Sequence, residues 1–170
     1  MIKIEQLTIN DAAAYQRLRL FALQESPIAF GSTYAAEVSR PLEMVAARLE
    51  DDRNDVVGAF DDRQLVGVVT LRREPPGKTD HKAYLFGLYV LPEHRLHGVG
   101  RALLETTISR ARERGLRQIQ LSVTAANRPA VHLYESCGFK QYGLEHDAFR
   151  DGDKFYDVAH MALPLSDDEE

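Results

Sequence analysis

Arg95-Leu96-His97-Gly98-Val99-Gly100-Arg101 is the stretch on which the reading of this chain turns. Ahead of it runs Lys82–Val90, KAYLFGLYV, the most apolar stretch in the chain, which predicts a central strand covered on both faces and closed by Pro92. Behind it, residues 98–114 set Gly100, Leu104, Ile108 and Ala111 on one side of a helix, with Leu103 beside them and Gly115 just past the end. A glycine-bearing turn between strand and helix lets a ligand approach the backbone with no side chain in the way. The first amides of a helix lack internal partners and carry the positive end of its dipole. Together these features predict an anion site, most naturally for a phosphate or pyrophosphate.

The local charge agrees. Arg95, Arg101, Arg110, Arg112, Arg114 and Arg117 stand against only Glu105 and Glu113. Arg95 and Arg101 flank the glycines and are expected to meet phosphates; the other four read as a solvated helix face. Two familiar phosphate loops do not fit. A P-loop ends in Gly-Lys-Ser/Thr, whereas Gly100 is followed by Arg101-Ala102. A dinucleotide fingerprint needs a third glycine, where Leu103 stands, and an acidic residue ending the next strand, where Leu121-Ser122-Val123-Thr124 has none.

Working outward, Ile2, Ile4 and Leu7 suggest a first strand. A helix from Ala12, capped by Asn10 or Asp11, ends at Ser26-Pro27. A long irregular aromatic stretch follows, then a second helix with Pro41 in its first turn and a stripe of Leu42, Val45, Ala46 and Leu49. Residues 55–60 and 65–73 form a hairpin around the four-residue turn Asp61-Asp62-Arg63-Gln64. Ile119, Leu121 and Val123 alternate as a fifth strand, and Asn127 caps a short helix with Pro129 in its first turn and Gly138 at its close. Two last strands, 139–145 and 155–163, flank Arg150-Asp151-Gly152-Asp153. The order β-α-α-β-β-β-α-β-α-β-β predicts an α/β (α+β) mixed sheet with helices on both faces.

The chain has 170 residues, 44% hydrophobic and 28% charged, enough for one domain with its own core. One domain over 1–165 is expected, with an acidic, disordered tail over 166–170. Asp167, Asp168, Glu169 and Glu170 carry most of the net charge of −5, so the body is nearly neutral and reads as neither a nucleic-acid binder nor a membrane-surface protein. No apolar run approaches the ~20 residues of a membrane span. The opening MIKIEQLTIN has no secretory layout, so a cytoplasmic location is expected. A single cysteine, Cys137, excludes an internal disulfide. It lies at the closing end of a helix rather than at a helix N-terminus, and reads as a packing residue. His94 and His97 share a loop without a third ligand, and His81, His132, His146 and His160 are scattered, so no metal is expected.

Arg95-x-x-Gly98-x-Gly100 after an apolar strand resembles the acetyl-CoA pyrophosphate loop of the GNAT N-acetyltransferase family. A second signature of that family follows in NRPAVHLYESCGF, as Asn127-x-x-Ala130-x-x-x-Tyr134-x-x-x-Gly138-Phe139. The resemblance implies a largely antiparallel sheet of six to seven strands, with the fourth and fifth splayed apart. Pantetheine would then lie along Leu88, Tyr89 and Val90 like an added strand. The turn of Arg95, Leu96, His97, Gly98, Val99, Gly100 and Arg101 would hold the pyrophosphate on its amides. Asn127 and Ala130 would meet the pantetheine arm, with Tyr134 near the sulfur. Phe30, Tyr34, Tyr84, Phe86, Tyr142 and Tyr156 are candidate walls for an acceptor. A homodimer is a family-level expectation.

The implied reaction moves an acetyl group from acetyl-CoA to a primary amine of a small molecule, or less readily of a protein, in a ternary complex. A phenol is a weaker acid than a thiol, so Tyr134 suits protonation of the departing sulfur. An amide of Leu88 or Tyr89 would polarise the carbonyl. The fourth strand has no carboxylate to serve as base. Asp80, His81, Tyr84, Glu37 and a water chain are the candidates, and a water relay is preferred. The rival reading is an acyl-CoA sensor without catalysis; a third is acyl transfer to a hydroxyl.

Overall fold

Seven strands, β1 (Ile2–Gln6), β2 (Asn54–Asp61), β3 (Gln64–Arg73), β4 (Lys82–Val90), β5 (Gln118–Thr124), β6 (Lys140–Asp151) and β7 (Lys154–Pro164), join in one sheet of order β1-β2-β3-β4-β5-β7-β6. The computed structural model describes residues 1–166, so the acidic residues 167–170 of the expected tail lie outside it. Every pairing is antiparallel except β4 with β5. The described residues also form five α-helices: α1 (Ala12–Glu25), α2 (Tyr34–Glu37), α3 (Leu42–Glu50), α4 (Val99–Glu113) and α5 (Arg128–Ser136). α1 and α4 both pack on β3, with α3 and α4 against β2. No helix among the described residues is long and apolar enough to cross a membrane.

The core lies where these helices cover the first sheet strands. Val57, Val66, Val69 and Leu71 of β2 and β3 are fully buried, as are Leu103, Leu104 and Ala111 of α4. Each valine or leucine among them contributes about 1.5–3 kcal/mol on leaving water. The strands covered on both faces are therefore β2 and β3. β4 alternates instead, with Ala83, Leu85 and Tyr89 buried while Phe86 is 43% exposed. Its apolar composition has a second use, described below.

Other expectations shift locally. The α1 start is prepared by Thr8, whose hydroxyl accepts from the Asn10 amide while the Asp11 carboxylate accepts from the Thr8 amide at 2.8 Å. Neither Asn10 nor Asp11 caps α1 with its own side chain. The stretch expected to be irregular contains a 3-10 turn (Pro27–Ala29) and α2, capped by Thr33. Both hairpin turns are tighter than expected: Asp62-Arg63 and Gly152-Asp153 link their strands, with Asp62 (φ 53°) and Gly152 (φ 61°) left-handed. β6 runs on to Asp151, because Asp157 holds an outward excursion of the strand by accepting from the Asp147 amide at 3.0 Å and contacting His146 Nδ1 at 3.2 Å.

The arginines after the glycine turn are not all a solvated face. Arg110 donates to Gln6, and Arg114 makes two bonds, 2.9 and 2.8 Å, to the buried carboxylate of Asp55. The pair ties the end of α4 to β2. Arg114→Ala leaves that carboxylate buried and unpaired, and we expect a loss of about 2 kcal/mol, below the full cost of breaking a buried pair because Arg114 is itself partly exposed. Urea unfolding measures it, with the exposed Arg112→Ala changing stability by less than about 0.5 kcal/mol.

Candidate active site

β4 and β5 are hydrogen-bonded neighbours only over Lys82↔Gln118, Ala83↔Ile119 and Tyr84↔Gln120. Beyond this β5 follows β7 as far as Thr124↔Val158, while β4 turns away with β3. The cause lies in β4 itself. Val68 faces Tyr89 but Thr70 faces Phe86, so β4 carries one residue more than β3 in this interval. That bulge is at Gly87-Leu88, with Gly87 at φ 68°. A bulge bends its strand and raises its twist. The result is a cleft of about 140 Å³ bounded by Leu85–Leu88 on one side and Ser122, Val123 and Thr124 on the other. A lone glycine inside an apolar strand is the sequence sign of such a bulge.

The glycine turn stands at the end of the same strand. Residues 95–98 are exposed, with Leu96 (φ 64°) and Gly98 (φ 80°) left-handed. The first bond into α4 is Ala102 N to Gly98 O at 3.0 Å, which leaves the preceding amides at the helix start without internal acceptors. A Cβ on Gly98 would meet nothing within 4 Å, so the turn is open. A Cβ on Gly100 would lie 3.2 Å from Leu133 Cδ2, so this glycine serves the close approach of α4 and α5. Val99 is buried and anchors the turn.

Arg95 departs from expectation. Its Nε donates to Val90 O at 2.9 Å, its two terminal nitrogens reach Glu25 at 3.3 and 2.8 Å, and the guanidinium lies over the Tyr89 ring at 5.3 Å. It is turned away from the amides because Glu25 of α1 draws it inward. Arg101 likewise donates to Ser136 of α5 and contacts Glu105 and the Cys137 sulfur. The turn therefore offers an anion main-chain amides before it offers guanidinium groups.

α5 forms the third wall. Asn127 caps it, accepting from the Ala130 amide at 3.4 Å, and Pro129 occupies its first turn. Asn127, Ala130 and Tyr134 line the cleft. Tyr134 is buried, edge-on to Phe139 at 5.8 Å, and burial holds its phenol well above the ordinary range. Among the described residues its hydroxyl has no hydrogen-bond partner.

A parted strand pair, an open amide turn and a buried phenol are thus joined in one cleft. The profile of the acetyltransferase (GNAT) family matches residues 19–139, which hold all three. The chain belongs to this family. It is 33% identical over 136 residues to a mycothiol acetyltransferase of Brachybacterium faecium, covering 80% of this chain and 40% of that protein. It is 39% identical over 85 residues to the ribosomal protein bS18 alanine N-acetyltransferase of Escherichia coli, covering 50% of this chain and 57% of that one. The chain thus spans about half the length of the curated relatives it matches. A putative acetyltransferase from Salmonella typhimurium, solved with its cofactor acetyl-CoA, shares the fold at TM-score 0.86 and 18% identity, over 100% of this chain and 97% of that one.

Phe30, Phe86, Phe149 and Arg19 also line this GNAT cleft. Phe30 is buried, with the Arg19 guanidinium 4.8 Å above its ring. Tyr34 packs against the core from α2 and is not among the cleft residues. Tyr142 lies beside His160 at 6.1 Å, Tyr84 is bonded to Ser122, and Tyr156 pairs with Phe149. The turn beginning at Phe149, expected by the family resemblance to face the acceptor, does line the cleft, whereas Arg19, Gly87, Ser122, Val123 and Thr124 are cleft residues that sequence reasoning missed. Among the described residues no carboxylate lines the cleft. Glu37 is buried between Arg19 (3.2 and 3.1 Å) and Arg40 (3.2 Å). Burial pushes its pKa up, but the bonds from Arg19 and Ser32 and the charges of Arg19 and Arg40 outweigh this and hold it below the usual range, which unfits it as a base. Asp80 and His81 are exposed at the far end of β4. No group of three potential metal ligands occurs among the described residues.

Two predictions test this geometry. Gly98→Ala forces a side chain into the left-handed region and is expected to lower stability by about 1 kcal/mol. It also disturbs the amide turn, so acetyl-CoA affinity measured by calorimetry is expected to fall about tenfold, or 1.4 kcal/mol. The second concerns Glu25, whose carboxyl is lowered to about 2 chiefly by the bonds from Arg95. A depressed carboxylate adds stability above its unfolded pKa and loses it as pH falls through the folded one. The wild type should therefore lose stability between pH 4.5 and about 2 more steeply than Glu25→Gln, as followed by thermal unfolding across that range.

Proposed function

We propose that this protein transfers the acetyl group of acetyl-CoA to the primary amine of a small molecule, by direct attack while both substrates are bound. The observation that carries this reading is the parting of β4 from β5 at Gly87, with the open turn at one end and Tyr134 beside it. The amides from His97 to Arg101 hold the pyrophosphate, supported by the α4 dipole. The pantetheine arm lies along the free edge of β4 at Leu88–Val90, where an extended chain can bond the backbone. Asn127 and Ala130 meet it from α5.

The amine enters between the Phe30, Phe86 and Phe149 rings and attacks the thioester carbon. An amide of Leu88 or Tyr89, at the bulge, steadies the oxyanion. The carbon–sulfur bond breaks as the Tyr134 phenol shares its proton with the leaving thiolate. Burial keeps that phenol protonated throughout the working range. The cleft's volume of about 140 Å³ and its phenylalanine lining favour a small acceptor, and the relative named for mycothiol is consistent with one.

A panel of phenethylamine, spermidine, lysine amide and an alanine-terminated peptide, read by thiol release from acetyl-CoA, tests the reading. Turnover of a small amine with an acetamide product by mass supports it. Fastest turnover of the peptide moves the acceptor to protein termini, an ester product moves it to hydroxyls, and binding without turnover makes the protein an acyl-CoA sensor. Tyr134→Phe is expected to lower kcat about 100-fold with little change in KM, as removal of a general acid does.

A further inference from the structure

Tyr84, Ser122, His160 and Glu145 form one continuous chain of hydrogen bonds across four strands. Tyr84 Oη lies 3.0 Å from Ser122 Oγ, Ser122 Oγ lies 2.8 Å from His160 Nδ1, and His160 Nε2 lies 3.3 Å from Glu145 Oε1. The sheet register builds it. Tyr84 sits on the last rung joining β4 to β5, Ser122 is two residues past that rung on the same face, and Ser122 is directly paired with His160 of β7. On β6 the residue opposite His160 is Gly143, which leaves the imidazole room to lean toward Glu145. Tyr142 lies beside the ring at 6.1 Å.

With the imidazole neutral, as a proton acceptor must be, the donors and acceptors admit one arrangement. An ionised carboxylate only accepts, so Nε2 carries the imidazole proton and Nδ1 is the free acceptor. Ser122 then donates to Nδ1, and its oxygen accepts from Tyr84. A hydroxyl oxygen has two acceptor positions, so one is left over. Ser122 lines the cleft, and Tyr134 lines it from α5.

We propose that His160, acting through Ser122, is the acceptor of the proton that the ammonium form of the substrate must lose, with Glu145 as the positioning residue. The proposal rests on the N-acetyltransferase reading above. The ammonium donates to Ser122 Oγ; as its proton passes there, the Ser122 proton passes to His160 Nδ1, giving an imidazolium paired with Glu145. The freed nitrogen lone pair forms the bond to the thioester carbon. On collapse the carbon–sulfur bond breaks, and a second nitrogen proton leaves with the sulfur by way of Tyr134. His160 returns its proton to solvent. A side-chain relay thus takes the place of the expected water chain. The titratable or charged groups that the register sets on this face are Glu145, Tyr142 and Lys140 of β6, Tyr156 of β7, Tyr84 and Lys82 of β4 and Arg72 of β3; Val158, Ala162 and Gln120 beside it carry no charge.

The test follows kcat against pH for wild type, His160→Gln and Ser122→Ala, on the fastest amine of the panel above and on phenylhydrazine, a free base at neutral pH. Both variants are expected to lose about 100-fold in kcat at pH 7 on the protonated amine. Their rates should keep climbing toward the amine's own pKa where the wild type has levelled off, and acetyl-CoA affinity should stay unchanged. On phenylhydrazine the loss should shrink to about threefold or less, since no proton need be removed before attack. Glu145→Gln should fall between wild type and His160→Gln. Variants that match wild type at every pH overturn the relay alone, as do variants that lose phenylhydrazine turnover equally. Where phenylhydrazine is not taken, the pH pattern decides. A wild type that turns over no amine while binding acetyl-CoA overturns the N-acetyltransferase reading and the relay with it.

Discussion

Parallel strands stay together only while their ladders keep step, and β4 loses step at Gly87-Leu88. One extra residue opposite β3 bends β4 while β5 remains bonded to β7 to its end. Both partners of the gap are therefore held from behind, β4 by β3 and β5 by β7, so the gap cannot close without breaking an outer ladder. Unpaired strand edges invite another extended chain. Here the edge is recessed between α5 and the Pro27–Ala29 turn, which Thr124 ties to β5 through the Ile28 carbonyl. A slim chain can enter where a whole strand cannot.

The inward turn of Arg95 follows from the same geometry. With β4 bent away, its end at Tyr89 and Val90 needs fixing to α1. Glu25 accepts from both Tyr89 and Arg95, and Arg95 also holds the Val90 carbonyl. A residue that would otherwise be read as a phosphate ligand fixes the strand leading into the amide turn. Preorganised amides then stand at a set distance from the cleft, and preorganised dipoles need no rearrangement when an anion arrives.

Most of the fold was legible in the sequence, because alternation, helical stripes, caps and turn glycines are local signals. Asn127, Pro129 and Gly138 bound α5 as expected, and Gly98 sits at the start of α4. What sequence could not reveal was relational. KAYLFGLYV looks like a strand buried on both faces, yet Phe86 faces the cleft, because register with distant strands decides which face is covered. Arg95 looks free until Glu25, far away in sequence, is placed beside it. Ser122, His160 and Glu145 are ordinary strand residues until β5, β7 and β6 are laid side by side. Gly87 was the one missed residue whose type alone carried a signal.

The missing carboxylate on β4 has a physical counterpart on the far strands. An amine like that of lysine, with an ordinary pKa of about 10.4, is free in roughly one molecule in 2,500 at pH 7, a deficit of about 4.6 kcal/mol. One neutral hydrogen bond, worth about 0.5–1.5 kcal/mol, does not meet it. A carboxylate set between Tyr134 and the phenylalanine rings would itself suffer desolvation, with its charged form disfavoured. Placing the proton acceptor on β7 and its carboxylate on the more exposed β6 keeps both charges near water, and lets an uncharged hydroxyl alone reach into the cleft. The hydrogen-bonded row from Tyr84 to Glu145 connects those two environments across four neighbouring strands.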